Sequence, residues 1–492
     1  MTDYRNVPSL VHPSLGIAAL GMEAALGRKW SPISISLFLL LSFTIPWLVI
    51  SHSTIRSLPG FPGPLPFHLE TGYVGVGESN EDQLFYYFVE SEGNPKEDPL
   101  VVWMSGGPGC SSLIALSMKN IGPLLFNYAE YDGNLPTLGL NPNSWTKVAS
   151  IIFLDSPTWT GFSYSRGSKE NKSGDRKATK EAHEFLRKWL IDHPQFLANP
   201  LYIGGDSYSG KTVPIIAQEI SNGIEAGLQP TLNLKGYLIG NPATGTAFDS
   251  AGRIPFLHGM GIISDELYES TKKNCKGDFT HPGNQLCAKD LQIVQQFESE
   301  LYDQHILEPN CPRASPKPKE MVGAGGRSLE ENPEKILLPQ PLPPFGCRSY
   351  IHLLAYYWAN NDLVREILHV RKGRIGEWVR CNDEVPYEKD VKSSIEYHMN
   401  LTTRGYRALV YSGDHDLAIP FVGTQAWIRS LNFSIIDDWR SWHADGQVAG
   451  YTRTYANNLT FATVKGSGHE APWYAPSQCF LMFSRWISHK PL

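Results

Sequence analysis

Seven short apolar runs, each separated from the next by enough chain to form helices, govern what this sequence can fold into. They fall at 84–90, 99–105, 149–155, 201–205, 234–241, 407–414 and 460–468. Several, such as "ASIIFLD", are continuously apolar and β-branched, as strands must be when both faces of a parallel sheet are covered. Between them, 175–193 sets Ala178, Ala182, Phe185, Leu186, Trp189 and Leu190 at helical spacing, and His193-Pro194 ends the helix. Strands alternating with helices predict one α/β domain with a mostly parallel central sheet and right-handed crossovers.

The alternation lapses between 242 and 350 and resumes at 361, as though the same sheet were being completed. The expectation is therefore a single domain over 54–492 with an inserted cap at 242–350. Within the cap, 312–344 is rich in Pro, Gly and charge. Such a stretch buries too little apolar surface to order itself, and it reads as a flexible linker open to excision.

At 492 residues, 41% hydrophobic and 19% charged, the chain can build a large core. A net charge of −6 with no long Lys/Arg run argues against nucleic acid, whose binding needs clustered cations. The seven cysteines include no C-x-x-C pair, so zinc and thioredoxin chemistry have no support, and nothing calls for a metal or cofactor. An odd count in an oxidising compartment implies three bridges and one spare thiol.

That compartment is indicated at the N-terminus, where "PISISLFLLLSFTIPWLVI" (32–50) is uncharged, apolar and preceded by Arg28 and Lys29. Residues 1–53 read as a secretory signal, with a signal-anchor as the competing reading and Met22 as the more economical start. An uncleaved segment would be the chain's membrane contact. Four sequons, at Asn171, Asn400, Asn432 and Asn458, accord with a glycoprotein of the vacuole or extracellular space.

In "LYIGGDSYSGKTVP" (201–214), a strand runs into a sharp turn that lifts Ser207 above the sheet edge. The turn is an imperfect nucleophile elbow, because the second Gly of G-x-S-x-G is Ser209. A serine hydroxyl needs a base, and the base an orienting carboxylate. "YSGDHDLAIP" supplies Asp416 and "VKGSGHEAP" supplies His469, each just past a strand end. The order Ser, Asp, His is the one α/β-hydrolases use. "WMSGGPGCSS" offers the Gly106-Gly107 backbone, and Tyr208 the N–H after the nucleophile, as donors to an oxyanion.

Together, "GGPGCSS", "FLDSP…GFSYS", "GDSYSG", "GNP", "GMGIISDELY", "YSGDHD" and "GSGH", running in order from about 60 to the C-terminus, resemble the serine carboxypeptidase family. The likeness is narrower to its plant carboxypeptidase-like members, a group that includes acyltransferases using sugar esters. The resemblance implies an α/β-hydrolase fold, Ser207, Asp416 and His469 as the triad, and Gly107 and Tyr208 as the oxyanion hole. It also implies bridges Cys110–Cys381, Cys275–Cys287 and Cys311–Cys347, leaving Cys479 free.

Carboxypeptidases of this family hold the substrate's terminal carboxylate with an Asn and two Glu. Here the Asn position, before Gly106, is Ser105, and the residue before the nucleophile is Asp206. The middle Glu aligns with Lys119, or with Asn120, since "MKNIGP" is one residue longer than the pattern. A lysine is a point cation that pairs with a carboxylate such as Asp206 or with an anionic acceptor, not a proton-sharing clamp. Thr158-Trp159 replaces small apolar residues and either narrows the acyl pocket or changes packing. The sequence thus points to an acyltransferase moving an aromatic acyl group from a glucose ester to an alcohol acceptor. A carboxypeptidase acting on peptides is the second reading, and a non-catalytic secreted binding protein the third.

Overall fold

In the computed structural model, residues 51–127, 131–167, 172–310 and 348–492 are described. The sequence expectations at 1–50, Asn171, 312–344, Cys311 and Cys347 lie outside them. The principal sheet comprises β1 (Ser51–Ile55), β2 (Leu69–Val76), β3 (Asp82–Val89), β4 (Leu100–Met104), β5 (Ser150–Leu154), β6 (Tyr164–Ser165) and β7 (Leu201–Asp206). It continues with β8 (Leu234–Gly240), β9 (Arg407–Gly413), β10 (Ile435–Ala444), β11 (Gln447–Tyr455) and β12 (Leu459–Val464). Its order is β1-β2-β3-β5-β4-β7-β8-β9-β12-β11-β10, with β6 added on β3. From β5 to β12 neighbouring strands are parallel, and at both edges they turn antiparallel. This is the mixed, mostly parallel sheet of an α/β-hydrolase.

Strand alternation divides the core in two. Val101 and Trp103 of β4 face one cluster with Leu113, Trp145, Trp358 and Phe483, while Leu100, Val102 and Met104 face the other. The second face is covered by α1 (Asp175–Asp192) and α2 (Ser209–Glu225), which bury Phe185, Leu186 and Trp189, and Val213, Ile216 and Ile220. Both faces being covered is why the inner strands carry no polar alternation.

After β8, in the stretch that the sequence reads as an insertion, short helices at Thr246–Ala251 and Arg253–Gly259 lead to α3 (Asp265–Cys275) and α4 (Gln285–Ser299). Cys275 and Cys287 are joined by a disulfide. Ile254, Phe256, Leu257, Ile263 and Val294 form a third small core, and Leu417, the residue after Asp416, belongs to it. Among the described residues no helix is long and apolar enough to cross a membrane.

Candidate active site

Strands β4, β7, β9 and β12 lie in the parallel region, so the loops after them emerge at one edge of the sheet. Those four loops carry Ser105, Gly106 and Gly107, Ser207 and Tyr208, Asp416, and His469. At the end of β7 the chain reverses through Ser207, whose φ of +57° is the left-handed conformation L-residues avoid. The turn is held because Ser207 N–H donates to Gly240 O (2.9 Å) and its own carbonyl accepts from Ala243 N (2.9 Å). A Cβ at Gly210 would lie 2.4 Å from Pro242 Cβ, so that glycine is sterically required. Ser209, the departure from the usual elbow, is accommodated because its hydroxyl donates to Met104 O (3.1 Å).

His469 reaches Ser207 Oγ through Nε2 (2.8 Å) and Asp416 Oδ2 through Nδ1 (2.8 Å). With Nδ1–H donating to the carboxylate, Nε2 is left to take the serine proton. Asp416 is wholly buried, and its remaining capacity is filled by Asn241 Nδ2 (2.8 Å) and the N–H groups of Ala418 (2.8 Å) and Ile419 (3.2 Å). Burial opposes a charged imidazole, but the Asp416 carboxylate outweighs it, helped by Glu470 and Asp206, and raises the His469 pKa to about 9. The site therefore favours the imidazolium that forms when Ser207 is deprotonated.

The Gly106-Gly107 loop lies directly against the elbow. A Cβ on Gly106 would sit 2.7 Å from both Ser207 Cβ and Tyr208 N, so only glycine permits this approach, and Gly107 takes φ +114°. The loop is strapped from outside by the Cys110–Cys381 disulfide, by Ser111 N–H to Arg380 O (2.8 Å) and by Asn382 N–H to Gly109 O (2.9 Å).

Beside the triad, Lys119 Nζ lies 2.7 Å from Asp206 Oδ2 and 2.8 Å from Glu470 Oε1, all three side chains being buried. Asp206 Oδ1 also accepts from Gly106 N–H (3.2 Å). Burial alone would depress the lysine pKa, but the two carboxylates outweigh it and raise it. Lys119, not Asn120, is thus the residue that meets Asp206. Ser105 is buried, its N–H donating to Ser112 Oγ (3.2 Å) and its hydroxyl without a hydrogen-bond partner among the described residues. Trp159 is half-buried at φ +75°, and its carbonyl accepts from Asn382 Nδ2 (2.9 Å).

Sequence reasoning missed Asn241 and Glu470. Both lie inside motifs of the sequence, "GNP" and "GHEAP", but only the fold shows that one orients Asp416 and the other meets Lys119. It also missed the brace supplied by the inserted stretch. Gln304 O accepts from His469 N–H (2.7 Å), and Asp303 O accepts from the N–H groups of Leu417 and Ala418 (both 2.9 Å). Cys479 is buried and free, while Asn400, Asn432 and Asn458 are exposed.

A Ser-His-Asp constellation at the carboxyl edge of such a sheet defines a serine hydrolase of α/β-hydrolase architecture. The profile of the serine carboxypeptidase family matches residues 59–489, and the chain belongs to that family. It is 51% identical to serine carboxypeptidase-like 2 of Arabidopsis thaliana over 461 residues, covering 93% of this chain and 98% of that protein. Identity to serine carboxypeptidase-like 17 of the same plant is 49% over 447 residues, covering 90% and 95%. Among solved structures, the yeast prohormone-processing carboxypeptidase Kex1(delta)p from Saccharomyces cerevisiae shares the fold. Its TM-score is 0.68 at 20% identity, covering 88% of this chain and 94% of that one.

Proposed function

We propose that this family member is an acyltransferase that moves an aromatic acyl group from a glucose ester to an alcohol through an acyl-enzyme on Ser207. The observation that carries the reading is the buried Lys119–Asp206–Glu470 cluster. A peptidase clamp binds a free carboxylate through carboxyl groups that share a proton with it. In this chain Asp206 is already engaged by Lys119 and by Gly106 N–H, and Glu470 Oε1 is held by the same lysine. An incoming peptide terminus would have to displace Lys119 to share a proton with Asp206, whereas a neutral sugar ester has no such need.

In the first half-reaction Ser207 Oγ attacks the ester carbonyl and its proton passes to His469 Nε2. The Gly107 and Tyr208 N–H groups receive the oxyanion, and collapse expels the glucose oxygen, which takes the proton from His469. In the second half the acceptor hydroxyl gives its proton to His469 Nε2 as its oxygen attacks the acyl carbon, and on collapse Ser207 Oγ leaves and takes that proton back, restoring the neutral serine and imidazole. A carboxypeptidase would follow the same steps with an amine leaving and water attacking, and the family's machinery serves either. Transfer outruns hydrolysis only if the acceptor is held in line, an advantage that effective molarities of ~10⁵ M or more can supply. We assign Ser105 and Trp159 to substrate binding, with Trp159 narrowing the acyl pocket. We also propose entry into the secretory pathway, with glycans on the exposed sequons.

The test is to incubate purified protein with glucose esters of aromatic acids, with and without alcohols, beside blocked dipeptides. Acyl product that depends on acceptor is expected, and Ser105→Asn with Lys119→Glu should raise peptide hydrolysis relative to transfer. Efficient release of C-terminal residues by the unmodified protein, with no transfer from any ester, would overturn the proposal in favour of the peptidase.

A further inference from the structure

Asp175, the first residue of α1, has none of its surface exposed, yet its carboxylate does not cap its own helix. Oδ1 accepts from the hydroxyls of Tyr208 (2.8 Å) and Tyr387 (2.9 Å). Oδ2 accepts from Val391 N–H (2.9 Å) and, more distantly, from Lys211 Nζ (3.4 Å). A buried charge is costly unless so engaged, and four donors converging on one carboxylate make a fixed point rather than a flexible contact.

What converges there gives the point its meaning. Tyr208 follows the nucleophile, so anchoring its ring at the far end restrains the backbone whose N–H faces the oxyanion. Tyr387 and Val391 belong to the strap running from Arg380, which at its other end grips Gly109, Cys110 and Ser111 of the loop bearing Gly107. Tyr387–Glu388 also pairs with Ser173–Gly174, immediately before Asp175. One carboxylate thereby links the element carrying one oxyanion donor to the segment that fixes the loop carrying the other.

We propose that Asp175 is a positioning residue for the oxyanion hole, setting the separation of the Tyr208 and Gly107 N–H groups. This rests on Ser207 being the nucleophile but not on which acceptor takes the acyl group. A donor displaced by a fraction of an ångström loses much of the ~10²- to 10³-fold that one such group supplies.

The experiment measures single-turnover acylation by a p-nitrophenyl ester and by its thionoester, whose sulfur is a weak hydrogen-bond acceptor and so gains little from the hole. Asp175→Asn and Tyr208→Phe should each slow oxygen-ester acylation about 10- to 100-fold, with little change in KM. Each should also shrink the ratio of ester to thionoester rates, which a general loss of stability would not do. The double variant should be no slower than the worse single one, because both break the same link. Oxygen-ester acylation within twofold of the unmodified protein in folded Tyr208→Phe, or equal losses on both esters, would overturn the proposal, even if Asp175→Asn fails to fold. Retained acylation in Ser207→Ala would instead show that the underlying assignment of the nucleophile is wrong.

Discussion

Ser207 sits in a backbone conformation that costs on the order of 1 kcal/mol and is tolerated because the turn is bonded on both sides. Ser207→Ala keeps those backbone bonds and removes only the hydroxyl, so folding should survive while ester turnover falls by roughly 10³-fold or more. Labelling by a fluorophosphonate should vanish in parallel, and persistent labelling would place the nucleophile elsewhere. His469 invites a subtler test. Its pKa is raised by Asp416 with help from Glu470 and Asp206, and the ring must be neutral to accept the serine proton. Removing a nearby negative charge lowers that pKa, so Glu470→Gln should move the rising limb of the kcat/KM profile to lower pH. An unmoved limb would mean that Glu470 acts only through Lys119. The triad was legible in the sequence because each member follows a strand and the chain order is diagnostic. A pairing of Lys119 with Asp206 was one of the alternatives the sequence offered, but Asn241 and Glu470 were not legible as partners, because they meet Asp416 and Lys119 only once the sheet sets their loops side by side.

Helix α1 shows the same division at the level of an element. Its spacing of apolar residues announced it over 175–193, and it runs Asp175–Asp192 with those residues inward. Its ends, however, carry roles that periodicity does not encode. At the C-terminal end His193 Nδ1 meets Trp189 O (2.9 Å) and Nε2 lies 3.0 Å from Glu70 Oε1 on β2, with Trp189 stacked on the ring. Burial works against the charged imidazole, but the hydrogen bond and charge of Glu70 outweigh it and raise the pKa of His193. A raised histidine stabilises fully below its unfolded pKa of about 6.5 and loses that contribution as pH climbs through the folded value. His193→Gln should therefore destabilise by on the order of 3 kcal/mol at pH 5.5 and by clearly less at pH 9. Thermal unfolding at the two pH values decides it, and equal losses would reduce the pair to packing. Of the strands of the principal sheet, the sequence reading missed β1, β2, the short β6 and the hairpin β10–β11. The outer strand β10 reads "IIDDWRSWHA", with most of its side chains exposed or half-buried, so it lacks the apolar run that marked the central strands.

For the molecule as a whole, the chemistry depends on segments far apart in the chain. Cys110 and Cys381 are 271 residues apart and flank 312–344. A protease cut within that stretch should give two fragments that migrate together on a non-reducing gel and separate on reduction, with esterase activity retained until the disulfide is reduced. Fragments that part without reductant would contradict the pairing. At the other end, β1 begins at Ser51 and pairs with β2. A signal cleaved before Thr54 would remove Ser51, His52 and Ser53 from that strand, so N-terminal sequencing of the protein purified from plant tissue will show how much of the edge is kept. Composition and strand order pointed to the sheet and to a long excursion before β9, but gave no sign that this excursion is bonded to the catalytic edge. Leu417 is packed in its small core, and Asp303 and Gln304 hold the backbone beside both Asp416 and His469. This insertion is therefore not an exchangeable module: transplanting a relative's version to import its substrate preference should also misalign the base, unless 303–304 and the loops they hold are grafted together as one inherited unit.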